Sequence, residues 1–147
     1  MACASEAAAA QMGIAVFPAE VRNAADLERV LSDFGPQGGG LVVTPSALTA
    51  TRRNLIIDLA ARFNLPAIYS FGFYAESGGL ISYGINQLEQ ARPAASYVDQ
   101  ILRGVNPGDL PVQLPLKYEL VINLKTAAAL GLTVPNSLQL LADHVIE

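Results

Sequence analysis

Apolar residues along this 147-residue chain recur in two alternating patterns. Short uninterrupted blocks of the kind that form buried strands occur at Ile14–Phe17, closed by Pro18, at Leu41–Thr44 and at Leu65–Tyr69. A fourth runs from Leu80 to Tyr83 after the Gly78-Gly79 turn, and a fifth from Glu119 to Ile122. Between them lie stretches with apolar residues three or four apart, the spacing of one helix face. Leu27, Val30, Leu31 and Phe34 mark a helix that Asn23 can cap and Gly35-Pro36 stops. Leu55, Ile56, Leu59, Ala60 and Phe63 mark a second over residues 51–63. Leu88, Ala91, Ala95, Val98 and Leu102 mark a third, from Gln87 to Arg103, ended by Gly104. Alanine content predicts a helix over residues 5–12 with Gly13 as its stop. Asn123 can cap a short helix ending at Gly131. Asn136 or Ser137 can cap a last one that holds His144 in its final turn.

Strands alternating with helices of this length specify βαβ units and a mainly parallel sheet. The expected fold is therefore α/β, a three-layer sandwich in one domain over residues 1–147. Residues 105–118, punctuated by Pro107, Pro111 and Pro115, do not fit a compact repeat and read as a connection between two bodies. Gly38–Gly40 precede a strand, whereas a phosphate-cradling loop must follow one, so they read as a turn.

Composition narrows the function. With 52% hydrophobic and 15% charged residues the chain can bury a full core. A net charge of -4 and scattered Lys and Arg give no basic stripe, which excludes a nucleic-acid partner. One cysteine, Cys3, allows no internal disulfide, and one distant histidine makes a zinc site improbable, so no cofactor or metal is expected.

Several blocks are specific in combination: "LPAIY", "GGLISYG", "YVDQILRGVNPGDLPV" and "ELVINLKTAAALGL". Together they resemble the second lobe of the ABC-transporter substrate-binding family that includes tryptophan and tyrosine receptors, over about residues 5–147. The resemblance implies one lobe of a type I periplasmic-binding-protein-like fold. In the whole receptor a small organic solute such as an amino acid would be enclosed between two lobes and handed to an ABC permease. It also implies that residues 86–118 hold a helix of the other lobe and the returning crossing. Without that lobe, the apolar face of the helix at 87–103 would either fold back onto its own sheet or pair with a second copy of the chain. Family members are periplasmic or membrane-associated. This sequence shows no export signal, so the expectation for the chain as written is cytoplasmic.

In open α/β sheets ligands sit beyond the carboxyl ends of the strands. Those ends supply the candidate ligand-binding residues Thr44, Ser46, Ser70, Phe71, Ser82 and Tyr83, an inventory of hydroxyls and aromatics suited to hydrogen bonding and stacking. A helix opening through Thr49 or Thr51 could turn backbone N–H groups toward a ligand carboxylate. Enzyme chemistry is not expected. Ser46 lacks the glycines of a nucleophile elbow, and Asp58, Glu76 and Asp99 fall on separate elements. Two alternatives remain: a non-catalytic flavodoxin-like or response-regulator-like binding domain, or a truncated remnant that binds nothing. The first would need an acidic cluster or phosphate loop at the strand ends, which this sequence lacks.

Overall fold

The computed structural model of the chain describes residues 8–114 and 117–147. Cys3, the first residues of the expected 5–12 helix, Pro115 and the side chain of Leu88 lie outside the described residues. Five strands form one sheet in the order β1-β2-β3-β4-β5: Leu41–Val43, Ala67–Tyr69, Ile81–Ile85, Tyr118–Asn123 and His144–Ile146. All neighbours pair in parallel except β3 with β4, which run antiparallel through five residue pairs from Ile81↔Ile122 to Ile85↔Tyr118. The α/β expectation with a mostly parallel sheet flanked by helices is what the chain adopts.

Residues 8–11 are helical and end in a turn at Met12-Gly13; the helices that follow are α1 (Ala24–Phe34), α2 (Ala47–Thr51), α3 (Arg53–Arg62), α4 (Gly72–Glu76), α5 (Gln87–Leu102), α6 (Leu124–Ala129) and α7 (Asn136–Leu141). Their ends follow local chemistry. Asn23 accepts the Asp26 N–H at 2.9 Å and starts α1, as expected. Asn123 is almost fully buried; its Oδ1 accepts the Thr126 N–H at 3.1 Å, while its Nδ2 donates to the Ala75 carbonyl at 3.0 Å. One side chain thus caps α6 and ties β4 to α4.

Register sorts the sheet into two faces. Leu41 and Val43 of β1, with Ala67 and Tyr69 of β2, face a core built on Leu27 of α1 and on Ile56, Ile57 and Ala60 of α3. Leu31, Leu59 and Leu65 extend it. Each fully buried aliphatic side chain here contributes roughly 1.5–3 kcal/mol. Tyr69 stacks on Tyr74 of α4 with ring centroids 4.8 Å apart. Burial, and secondarily the neighbouring Tyr74, hold the Tyr69 phenol far above the ordinary tyrosine range.

Three expectations need correction. Ile14–Phe17 forms no strand: it is exposed and joins no strand among the described residues, the Ile14 N–H bonding back to the Ala9 carbonyl at 2.9 Å and Phe17 resting edge-on against Phe34 at 5.5 Å. An apolar run becomes a strand only when a neighbouring strand takes its hydrogen bonds. His144 is not helical but opens β5, after α7 stops at Leu141. The 51–63 helix is two helices, α2 and α3, broken at Arg52 (φ -103°, ψ 21°). Phe73 and Tyr74 lie on α4, where Tyr74 is fully buried.

Candidate ligand-binding rim

At the carboxyl end of β1 the chain turns through Thr44 and Pro45 into α2. Ser46 and Thr49 build that turn as a reciprocal capping box. Ser46 Oγ accepts the Thr49 N–H at 3.1 Å, and Thr49 Oγ1 accepts the Ser46 N–H at 3.0 Å. Thr49 is itself buried and its hydroxyl lies 3.0 Å from the Thr44 carbonyl. Thr44 and Ser46 are consequently held in place while remaining exposed. Thr49, not a direct candidate, is the residue that orders them. The S/T-x-x-T spacing was the signal for it.

One strand over, Ser70 follows β2 and donates its hydroxyl to the Val43 carbonyl at 3.0 Å, joining the two strand ends. Phe71 precedes α4 and stacks on Phe73, 5.5 Å between centroids, and Phe73 stacks on Tyr74 at 4.7 Å. The four rings Phe71, Phe73, Tyr74 and Tyr69 form a ladder from the half-buried rim into the core. The guanidinium of Arg53 sits 5.8 Å from the Phe73 centroid. Thr44, Ser46, Ser70 and Phe71 thus gather at the ends of β1 and β2.

The last two candidates sit elsewhere. Ser82 lies within β3 on the Tyr69 face of the sheet, 1% exposed, and its Oγ has no hydrogen-bond partner. Its hydroxyl belongs to the interior. Tyr83 points to the opposite face and stacks on Tyr118 at 5.6 Å, both rings about half exposed. The pair marks where β3 leaves for α5 and β4 returns. Gly84, between them and the rim, runs so close to β2 that a Cβ there would lie 1.8 Å from the Ser70 carbonyl oxygen. No larger residue fits.

The base of this exit is tied by polar contacts. Glu119 of β4 accepts Asn86 Nδ2 at 3.2 Å and lies 3.3 Å from His144 Nε2. Asp143 accepts the Leu120 N–H at 2.9 Å and pairs with Lys117 at 3.5 Å. The backbone hydrogen bond, above all, holds its carboxyl below the ordinary range. Beyond them α5 projects with Val98, Ile101 and Leu102 exposed. Tyr97 of this helix donates its hydroxyl to the Pro111 carbonyl. Among the described residues no cluster of three or more His, Cys, Asp or Glu could hold a metal, and no helix is long and apolar enough to cross a membrane.

This arrangement has close structural relatives. A conserved domain protein from Vibrio cholerae O1 biovar El Tor superposes with a TM-score of 0.87 at 26% identity, over 95% of this chain and 47% of its own. The ABC domain of a Streptococcus pneumonia protein, solved in complex with L-Trp, gives 0.85 at 26% identity, over 96% and 49%. A ligand-free, open substrate-binding protein with adhesive properties from Clostridium difficile shares the fold at 0.69 and 21% identity, over 99% and 48%. The chain therefore spans about half the length of the solved chains it matches. No curated protein matches its sequence. The sequence profile of ABC transporter substrate binding proteins matches residues 3–146, so nearly every described element falls within it, and the chain belongs to that family.

Proposed function

We propose that this chain acts as one lobe of the solute-binding component of an ABC importer, presenting half of a cleft for a small organic solute such as an amino acid. The observation that carries this reading is the rim at the ends of β1 and β2. There two exposed hydroxyls on a capped turn and an aromatic at the head of a ring ladder stand side by side, with no acid–base pair among them. Thr44 and Ser46 would hydrogen-bond the polar end of the solute. The first-turn N–H groups of α2 would add dipolar attraction for a carboxylate. Phe71 would offer a ring face or edge to an apolar side chain, and Ser70 would keep β2 aligned with β1. The L-Trp-bound relative supports the amino-acid class.

Closure would be a hinge motion about the β3 exit and β4 return, with the Tyr83–Tyr118 stack at the pivot. The exposed face of α5 would rest on the complementary lobe, and a permease would receive the solute from the closed form. This places the complete receptor on the outer side of the membrane that holds its permease. Nothing in the fold or the comparisons supports pairing of two copies through α5. The chemistry is binding without covalent steps.

The test is a thermal-shift screen of the chain against the twenty amino acids, with Phe71→Ala in parallel. A ligand that binds only the folded state raises the melting temperature with the logarithm of its concentration. A rise with aromatic amino acids that Phe71→Ala removes supports the reading. A rise that Phe71→Ala leaves unchanged would move the site away from this rim. A flat screen at high millimolar concentration would rule out a usable half-site and leave a lobe that binds nothing alone.

A further inference from the structure

Arg53 opens α3, on the connection that carries the chain from the end of β1 back to the start of β2. Because β1 and β2 are parallel, the early part of that connection lies at their carboxyl ends, beside the rim. Arg53 is exposed there, and its guanidinium sits over the Phe73 ring, 5.8 Å from the centroid. Phe73 in turn stacks on Phe71 with 5.5 Å between centroids, so the cation and the rim aromatic belong to one stack. Thr44, Ser46, Ser70 and Phe71 carry no charge of their own; Arg53 brings one to them.

This cation is uncompensated. Arg22, Arg29, Arg103 and Lys117 pair with Glu20, Asp26, Asp99 and Asp143. Arg53 has no carboxylate partner among the described residues, and its N–H groups enter none of the side-chain hydrogen bonds there. A guanidinium resting on a ring keeps its donors at the edge of its plane, where a planar anion can take two of them at once. The ring also holds the long side chain in place, which lowers the entropy lost when an anion binds.

The acids on the far side of α4 are engaged elsewhere. Glu119 has its two oxygens against Asn86 Nδ2 and His144 Nε2, and with Glu76 it lines a separate recess that none of the rim candidates enters. The rim therefore offers a cation and hydroxyls, and no anion.

We propose that Arg53 is the specificity-determining cation of the rim: it takes the carboxylate of the solute, while Phe71 takes the apolar arm and Thr44 and Ser46 add hydroxyl hydrogen bonds. This rests on the solute-binding reading above and narrows it. The lobe selects a carboxylate joined to an apolar arm and gives an ammonium group nothing to bind. The amino group of an amino acid is left to the complementary lobe. Arylalkanoic acids therefore bind this lobe as aromatic amino acids do, and arylalkylamines do not.

The test follows the backbone amides and the Arg53 Nε–H of the isotope-labelled chain during titration with three probes that share an indole ring: indole-3-propionate, tryptamine and 3-methylindole. Indole-3-propionate should shift residues 44–49 and 70–73 together with the Arg53 Nε–H. Tryptamine should bind at least about tenfold more weakly, the scale of one charge-assisted hydrogen-bond pair. Arg53→Gln changes an exposed side chain, so the melt should be retained. This variant should bind indole-3-propionate at least about tenfold more weakly and 3-methylindole as before. Arg53→Lys keeps the charge and loses the fork, and should fall between the two. Equal affinity for indole-3-propionate and tryptamine, or for indole-3-propionate in wild type and Arg53→Gln, overturns the role of Arg53 while leaving the rim as the site. If none of the three probes moves residues 44–49 or 70–73, the rim reading itself fails and the role of Arg53 falls with it.

Discussion

Gly84→Ala is the sharpest local test of how β2 and β3 meet at the rim. A Cβ at this position would stand 1.8 Å from the Ser70 carbonyl oxygen and 2.8 Å from the Ser70 carbonyl carbon. A relaxed carbon–oxygen contact is about 3.3 Å, so the strands must part by roughly 1.5 Å. Both atoms are backbone, and no side chain can rotate away to absorb this. Parting the strands there loosens the Ser70 Oγ–Val43 carbonyl bond of 3.0 Å and the Tyr69↔Ser82 pairing that precedes it. Overpacking of this kind costs about 1–3 kcal/mol, and a weakened hydrogen bond adds about 1 kcal/mol. We expect a loss of about 3 kcal/mol, measured by urea unfolding with an unchanged slope, and a melting temperature roughly 6–12 °C lower. Gly131→Ala is the control. Its φ of 67° strains an L-residue but nothing lies within 4 Å, so it should cost only about 1 kcal/mol. A Gly84→Ala variant as stable as wild type, or less affected than Gly131→Ala, would refute the close approach.

Three further outcomes follow from individual groups. Asn123→Ala removes a cap and a buried tie to α4 together, and should cost about 2–3 kcal/mol in urea unfolding. The Tyr69 phenol is raised in the folded state, so the stability it confers is intact below the ordinary tyrosine range and is lost as pH climbs beyond that range through the raised folded value. Alkaline unfolding should therefore be cooperative with the last rise in phenolate absorbance, and Tyr69→Phe should shift the midpoint to higher pH. The Asp143 carboxyl is lowered, so its contribution is present above the ordinary carboxylate range and is lost as pH falls through its folded value. Asp143→Asn should flatten the acid limb of a stability–pH curve; an unchanged limb would remove Asp143 from the account.

How much the sequence disclosed depended on how local each signal was. Asn23 and Asn123 were legible as caps because a cap acts within three residues. Gly104 was legible as a stop because its positive φ suits few other residues. The strand blocks at β1, β2 and β4 were found to within two residues at each end, since continuous apolar runs mark buried strands. Ile14–Phe17 has the same pattern and is not a strand, because pairing depends on a neighbour that composition does not reveal. β5 went unseen for the converse reason: His144-Val145-Ile146 is only three residues long and opens on a polar one, and it is a strand because β4 lies beside it. Among the candidate residues, Thr44, Ser46, Ser70 and Phe71 could be placed together from the rule that ligands sit beyond strand ends. Ser82 could not be separated from them by sequence, because a single residue's inward or outward sense depends on strand register.

The most direct test of the central claim is an isotope-edited titration of the chain with L-tryptophan, following every backbone amide. The account predicts weak, saturable shifts concentrated at residues 44–49 and 70–73, diminished by Phe71→Ala. Shifts centred on the Val42 and Ile68 face or on α5, with the rim unmoved, would contradict it.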